Sequence, residues 1–392
     1  MSEIELASLT RNEKLFTKIL ESPDEGAEYI ANDIAATIHK YVRSTGKCVL
    51  ALGAGDNTLK VYDKLAELYE NGTISFRNVV IFNLSEFFPI DENISPSTSA
   101  RLHEVFLNKV DIPKENFHNF NVSTTMEDVH QSCLDYEAEI DRCGGLDLVV
   151  CEIGQLGTLA FNEPGSSMHS SCRLMRLSNE IRQNIANSYH CNDVPITALT
   201  LGLSNILTAK HVISMAWGEN YSQIVFKTVE GNVDAMVPAS ILQMHRHAKL
   251  VIDLSAADEL TRISHPWIVT SCEWTDKLIR RAIVWLCEKT GKPILKLTNK
   301  DYNDYGLSEL LAHFGSAYNV NIKIFNDLQH TITGWPGGKP NADDTYRPER
   351  AVPYPKRVIV FSPHPDDDVI SMGGTLKRLV DQHHDVHVAY ET

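Results

Sequence analysis

Three stretches of this chain hold residue types able to do chemistry. The first, residues 154–167 (GQLGTLAFNEPGSS), follows the apolar run 146–153 (LDLVVCEI) and carries one carboxylate, Glu163, at an Asn-Glu-Pro-Gly turn. A carboxylate there can move a proton, or it can simply accept hydrogen bonds from turn N–H groups, and both readings stand. The second, Gly53-Ala54-Gly55-Asp56-Asn57-Thr58, joins the apolar run 48–52 to an amphipathic segment. Such a turn can aim N–H groups at an anion, and it is equally an ordinary strand-to-helix connection. The third, Ser362-Pro363-His364-Pro365-Asp366-Asp367-Asp368, places a histidine and consecutive aspartates just past the apolar run 358–361. The plain alternative is an acidic helix start, in which Asp366 to Asp368 complement the helix dipole.

The elements that must position these residues alternate between strand and helix patterns. Ser22-Pro23-Asp24-Glu25 reads as a capped helix start, and Tyr29, Ile30, Ile34, Ile38, Tyr41 and Val42 form one apolar stripe behind it. A strand at 48–52 leads to a helix with Leu59, Tyr62, Leu65 and Leu68 inward, then a strand at 78–83 and a helix near 97–109. Further strands are expected at 146–153, 198–203 and 212–216, with 250–254 as the last strand of the pattern along the chain and helices at 221–230 and 239–245. The alternation implies an α/β fold with a parallel, helix-flanked sheet. Ligands bind such sheets beyond the strand carboxyl ends, so Gly55, Ser85 and Glu163 are expected to line one crevice.

After residue 258 the pattern shifts. Residues 259–333 read as an appended α/β region with helices at 274–288 and 307–313 and a run at 293–297, and residues 334–356, rich in Pro, Gly and charge, read as a linker. The strand at 358–361 and a helix at 376–380 then open a second α/β domain, 357–392.

A formal charge of -15 over 392 residues argues against nucleic acid or anionic membrane as a partner, while one small phosphate needs only a few local donors. With 43% hydrophobic and 22% charged residues the chain is of the globular class. No segment reaches the length of a membrane span, and the start lacks a secretory pattern. Eight cysteines without a Cys-x-x-Cys pair fit the reducing cytoplasm.

The segment 154–167 resembles the signature loop of the glucosamine-6-phosphate deaminase family, keeping its Phe161-Asn162-Glu163-Pro164 half. The resemblance runs from about Cys48 to Leu254 and includes Ile81-Phe82-Asn83, Val110-Asp111-Ile112-Pro113 and Glu115-Asn116. It implies the parallel-sheet, Rossmann-like fold of that family, a sugar-phosphate ligand, no cofactor for this domain and a homo-oligomer.

The implied chemistry opens a hexosamine 6-phosphate, moves a proton between C1 and C2, and releases ammonia to leave fructose 6-phosphate. The positions matching that machinery are altered. The proton-transfer aspartate falls on Ser85, the loop aspartate on Leu156 and the ring-opening histidine on Thr158, leaving Glu163 of the relay. The phosphate lysine falls on Tyr221, the phosphate arginine on Tyr189, and the phosphate loop on Ala54-Gly55-Asp56-Asn57. Gly55, Asp56, Asn57, Ser85 and Thr158 remain the candidate ligand-binding residues. Ser166 and Arg173 match positions that grip an allosteric amino-sugar phosphate in bacterial members, with Met175 where a lysine is expected, and Arg173 reads equally as a surface charge.

Residues 358–374 resemble the opening of the zinc-dependent LmbE/PIG-L sugar N-deacetylases. The resemblance implies His364 and Asp367 as metal ligands and Asp366 as base, with Asp368 in place of the usual glutamate. A catalytic zinc takes three protein ligands, so zinc is expected only in a complete deacetylase domain, of which 357–392 is a truncated start.

The expected protein is therefore deaminase-like, of amino-sugar metabolism, with a degenerate deaminase site that binds a sugar phosphate or supports a deacetylase module. The alternatives are an active amino-sugar-phosphate deaminase, a related hydrolase such as a 6-phosphogluconolactonase, and a non-enzymatic sugar-phosphate sensor. Groups that act as one relay are not restored singly. Ser85→Asp alone should release no ammonia from glucosamine 6-phosphate in a coupled assay, and measurable turnover from that one change would misplace the site.

Overall fold

In a computed structural model of the chain, residues 3–90, 96–333, 357–381 and 383–391 are described. The expected linker at 334–356 lies outside them. Contacts divide the chain into two units, Met1–His265 and Pro266–Thr392.

The first unit is built on β2 (Cys48–Leu52), whose five residues are all buried because both of its faces are covered. Cys48, Leu50 and Leu52 pack with Ile30, Ile34, Val61 and Leu65 of helices α2 (Pro23–Thr45) and α3 (Asp56–Glu70). Val49 and Ala51, of opposite parity, pack with Tyr136 and Ile140 of a helix at Val129–Arg142. Helix α2 starts where its sequence indicates: Ser22 Oγ accepts from Glu25 N, Pro23 occupies the first turn, and Gly46 closes it with a φ of 84°.

Among the described residues seven parallel strands form the sheet, which runs from one edge to the other as β1 (Phe16–Leu20), β10 (Ala248–Asp253), β9 (His211–Ala216), β6 (Leu148–Glu152), β2, β3 (Val79–Asn83) and β5 (Phe117–His118). From β2 the chain steps outward through β3 to β5, returns to the centre with β6, and steps the other way through β9 to β10. The reversal falls between β2 and β6, and at such a switch point the loops after the two strands part and leave a crevice.

Two expectations are corrected here, and one strand that the sequence does not announce is added. The apolar segment near 198–203 forms β8 (Thr197–Thr200), which lies outside the parallel sheet. It pairs antiparallel with β4 (Ser85–Phe88) and β7 (Arg173–Arg176), because apolar content does not specify a partner's direction. The sheet also extends past β10 to β1, an edge strand with Phe16 exposed and little alternation to mark it. In the second unit, residues 293–297 form a single 3₁₀ turn at Ile294–Lys296, so 266–333 is helical. Helices at Asp276–Thr290, Asn299–Asp304, Ser308–Phe314 and Ala317–Thr333 enclose Ile279, Ile283, Leu286, Tyr302, Leu310, Val320 and Ile324.

Past the linker, β11 (Arg357–Ser362) and β12 (Asp385–Tyr390) pair in parallel around a helix at Asp367–Asp381, which begins before the expected 376 and runs through Gly373-Gly374. Phe361 of β11 is 66% exposed and Ile370 of this helix 75%.

Packing requires the glycine at position 26. Gly26, in α2, faces the Trp217 ring so closely that a Cβ would sit 2.5 Å from Cη2, while Trp217 Nε1 donates to the Asn57 carbonyl at 2.8 Å. Gly26→Ala should destabilise the first unit by about 1–3 kcal/mol although alanine is the better helix former, measured as a fall in thermal midpoint. An unchanged or raised midpoint would contradict this packing.

Candidate functional site

A cavity of about 660 Å³ opens at the carboxyl ends of β2 and β6. Its base is Gly53, Gly55, Glu152 and Gly154, and the rings of Phe87, Phe161, Tyr189 and Tyr221 reach it from four separate segments. Ser85, Thr158, Asn184 and Asn187 add neutral hydrogen-bonding groups. Aromatic faces beside hydroxyl and amide groups suit a ligand with both C–H faces and hydroxyls.

Glu152 is the charge at the centre. It is the last residue of β6 and shares the parity of Leu148 and Val150, which pack in the same cluster as Val61 and Leu65 of α3. Its carboxylate therefore meets the start of α3, where Oε2 accepts from Asn57 N at 2.8 Å. Gly55 makes this approach possible, since a Cβ there would overlap the carboxylate. Burial pushes the Glu152 carboxyl up to about 7; the Asn57 N–H and Arg101 pull it down, and Asp56 pushes it further up.

Arg101 is the one Arg or Lys among the described residues lining the cavity, and its bonds are made internally. Its Nη2 donates to Asp56 Oδ1 at 2.5 Å and its Nη1 to Ser188 Oγ at 2.8 Å. Ser188 Oγ donates in turn to Asp56 Oδ1 at 2.7 Å, and the guanidinium lies 4.4 Å from the Tyr189 ring centroid.

Of the residues expected from sequence, Gly55, Asp56, Ser85 and Thr158 line this cavity, together with Leu156, Tyr189 and Tyr221. Asn57 stands behind them, buried, with its N–H on Glu152. Glu163 does not line the cavity with Gly55 and Ser85, contrary to expectation: its Oε1 accepts from Ser178 N at 2.8 Å, and the turn after Asn162 aims it at the residue that caps the helix Asn179–Tyr189. Ser166 and Arg173 meet each other at 3.1 Å, away from the cavity lining, and Arg173 also donates to the Ser171 carbonyl. Sequence reasoning passed over Glu152 and Arg101. The signal for Glu152 was there, as the one charge between Val149 and Gly154 at the sheet's ligand end.

In the second unit His364 Nδ1 and Asp367 Oδ2 lie 2.8 Å apart at the end of β11, with Asp366 exposed beside them. Asp368 is buried instead, its N–H on Ser362 Oγ and its Oδ2 accepting from Tyr390. Among the described residues no third His, Cys, Asp or Glu joins His364 and Asp367 as a metal-ligand group, so this donor set does not fit a catalytic zinc.

The fold is a parallel-sheet α/β domain with its crevice at the switch point, and the comparisons give the family. Residues 21–252 match the family of glucosamine-6-phosphate isomerases and 6-phosphogluconolactonases, and the chain belongs to it. Residues 359–392 match the GlcNAc-PI de-N-acetylase family. A glucosamine-6-phosphate deaminase-like protein of Bacteroides thetaiotaomicron is 56% identical over 99% of this chain and 59% of its own length, so the chain spans less than two thirds of that relative. A glucosamine-6-phosphate deaminase of Phocaeicola vulgatus is 38% identical over 62% of this chain and 93% of its own. Among solved structures, a monomeric glucosamine-6-phosphate deaminase described as a missing link of the NagB superfamily superposes with a TM-score of 0.59. It has 27% identity and covers 62% of this chain and 100% of its own.

Two predictions follow from the charges. Because the folded Glu152 carboxyl is raised above its unfolded value, the folded state holds the extra proton, and this group's contribution to stability is lost as pH rises from about 4.5 through about 7. Glu152→Gln should remove that slope and be more stable than the unmodified chain at pH 8 by about 1–3 kcal/mol, read from denaturation at pH 5 and pH 8. Parallel pH profiles for the two proteins would contradict this. Titrating zinc into the chain, with and without His364→Ala, should reveal no tight one-to-one site at His364 and Asp367, and tight binding abolished by the substitution would mean that a third ligand is supplied from within the chain.

Proposed function

We propose that residues 1–265 are an amino-sugar-binding relative of the glucosamine-6-phosphate deaminases without efficient deaminase activity, serving amino-sugar metabolism in the cytoplasm beside a deacetylase module that begins near residue 357. The observation that carries this reading is the lining of the crevice. It keeps aromatic and hydroxyl groups suited to a sugar ring, while Ser85, Leu156 and Thr158 stand where the family resemblance puts an acid-base relay. The remaining relay residue, Glu163, is bonded to Ser178 N. Removing one group of a relay costs orders of magnitude in rate, and removing several that act together leaves little chemistry. De-N-acetylation exposes an amine on a sugar, which gives the two modules a common ligand class.

A second reading, an active deaminase or a lactonase-type hydrolase, has one observation in its favour. Glu152 carries a carboxyl raised to about 7 on the cavity floor, which is the range of a general base.

The two readings separate in a coupled assay for ammonia and fructose 6-phosphate at high protein concentration, with a melting screen over hexosamines and hexosamine phosphates alongside. The binding reading expects a ligand-dependent rise in thermal midpoint without turnover. Turnover abolished by Glu152→Gln would establish the second reading, and the absence of any sugar-dependent shift would remove the first.

A further inference from the structure

We propose that the crevice selects a free, protonated amino sugar over any sugar phosphate, with the Glu152 carboxylate as the partner of the ammonium group. This rests on the carbohydrate-binding reading above and adds the charge of the ligand.

The place an anion would take is already filled. At the start of α3 a backbone donor that could hold a phosphate oxygen, Asn57 N, is given to Glu152 Oε2, and Thr58 N is given to the Gly55 carbonyl. The Cβ-free side of Gly55, the usual close approach for a ligand oxygen, is taken by the same carboxylate. The protein has built an anion into its own anion site.

Among the described residues lining the cavity the one guanidinium or amine is committed, and the remaining basic group is a single imidazole, His190. Arg101 is paired with Asp56, hydrogen-bonded to Ser188 and stacked over Tyr189. Of the carboxylates lining the cavity, Asp56 is matched by that arginine, and Glu152 is left over. A phosphate entering here would meet Glu152 with no uncommitted Arg or Lys to offset it, whereas an ammonium would supply the charge that Glu152 lacks.

Glu152 is also shaped to receive it. Oε2 is held by Asn57, which fixes the carboxylate, while Oε1 has no hydrogen-bond donor among the described residues. Burial raises the Glu152 carboxyl, and a bound ammonium would pull it back down. An N-acetyl sugar has the same ring and no such charge. The ring itself would lie among Phe161, Tyr221, Ser85 and Asn184, which offer C–H faces and neutral polar groups and add no charge.

The test is calorimetric titration of the full chain at pH 7 with glucosamine, N-acetylglucosamine and glucosamine 6-phosphate, repeated with Glu152→Gln. In the unmodified chain glucosamine should bind at least about tenfold more tightly than either competitor, the scale of one partly buried ion pair. Glu152→Gln keeps an acceptor for Asn57 N and removes the charge, so it should lose that preference and bind the phosphate better than the unmodified chain does. Glucosamine 6-phosphate binding the unmodified chain as tightly as glucosamine would overturn the charge assignment and leave the carbohydrate reading standing. Binding of none of these sugars would overturn both. The ranking in the unmodified chain decides the matter even if the variant fails to fold.

Discussion

The first unit is organised around one contact, the Glu152 carboxylate on the first turn of α3. It joins the end of β6 to the loop after β2, the two strands between which the sheet reverses its direction of growth. Several neighbours make sense only with that contact in place. Gly55 must lack a side chain, and Asn57 must present its N–H on one side while its carbonyl holds Trp217 on the other. Trp217 in turn demands a glycine at position 26. A chain of close approaches thus runs from the crevice floor to helix α2, and each member limits what the next can be.

The same contact separates fold from chemistry. A parallel sheet with its crevice at the switch point belongs to the family, and the family match spans residues 21–252. A site is a matter of charge and geometry at particular residues, and a shared fold does not transmit it. Here the crevice has an aromatic and hydroxyl lining, and its charges are unevenly matched: Asp56 is spent on Arg101, while Glu152 has one oxygen on Asn57 N and the other open. The proposed ligand class follows from that balance.

Much of this was legible in the sequence, for identifiable reasons. The strands at 48–52, 79–83 and 211–216 are buried on both faces, so their composition alone marks them, and α2 announced itself through Ser22, Pro23 and its isoleucine stripe. The antiparallel sheet of β4, β7 and β8 was not legible, because its strands have four residues each and their pairing depends on segments far apart in the chain. Gly55, Asp56, Ser85 and Thr158 reached the crevice as their place after strand ends indicated. Glu163 did not, since the turn after Asn162 directs it toward Ser178, and a turn's direction is set by tertiary packing. Glu152 escaped notice because an apolar run was read as wholly structural. A single carboxylate at the ligand end of a buried strand is costly unless something is bound to it, and that cost marks it as a site residue.

The most direct measurement of the central contact is the titration of the Glu152 carboxyl itself, followed by carbon NMR on glutamate-labelled protein and assigned by its loss in Glu152→Gln. A midpoint near 7 in the free protein, moving lower when glucosamine is present at saturation, is the expected result. A midpoint in the ordinary glutamate range near 4.5, unmoved by the amine, would show a solvated carboxylate outside the crevice and would contradict the account.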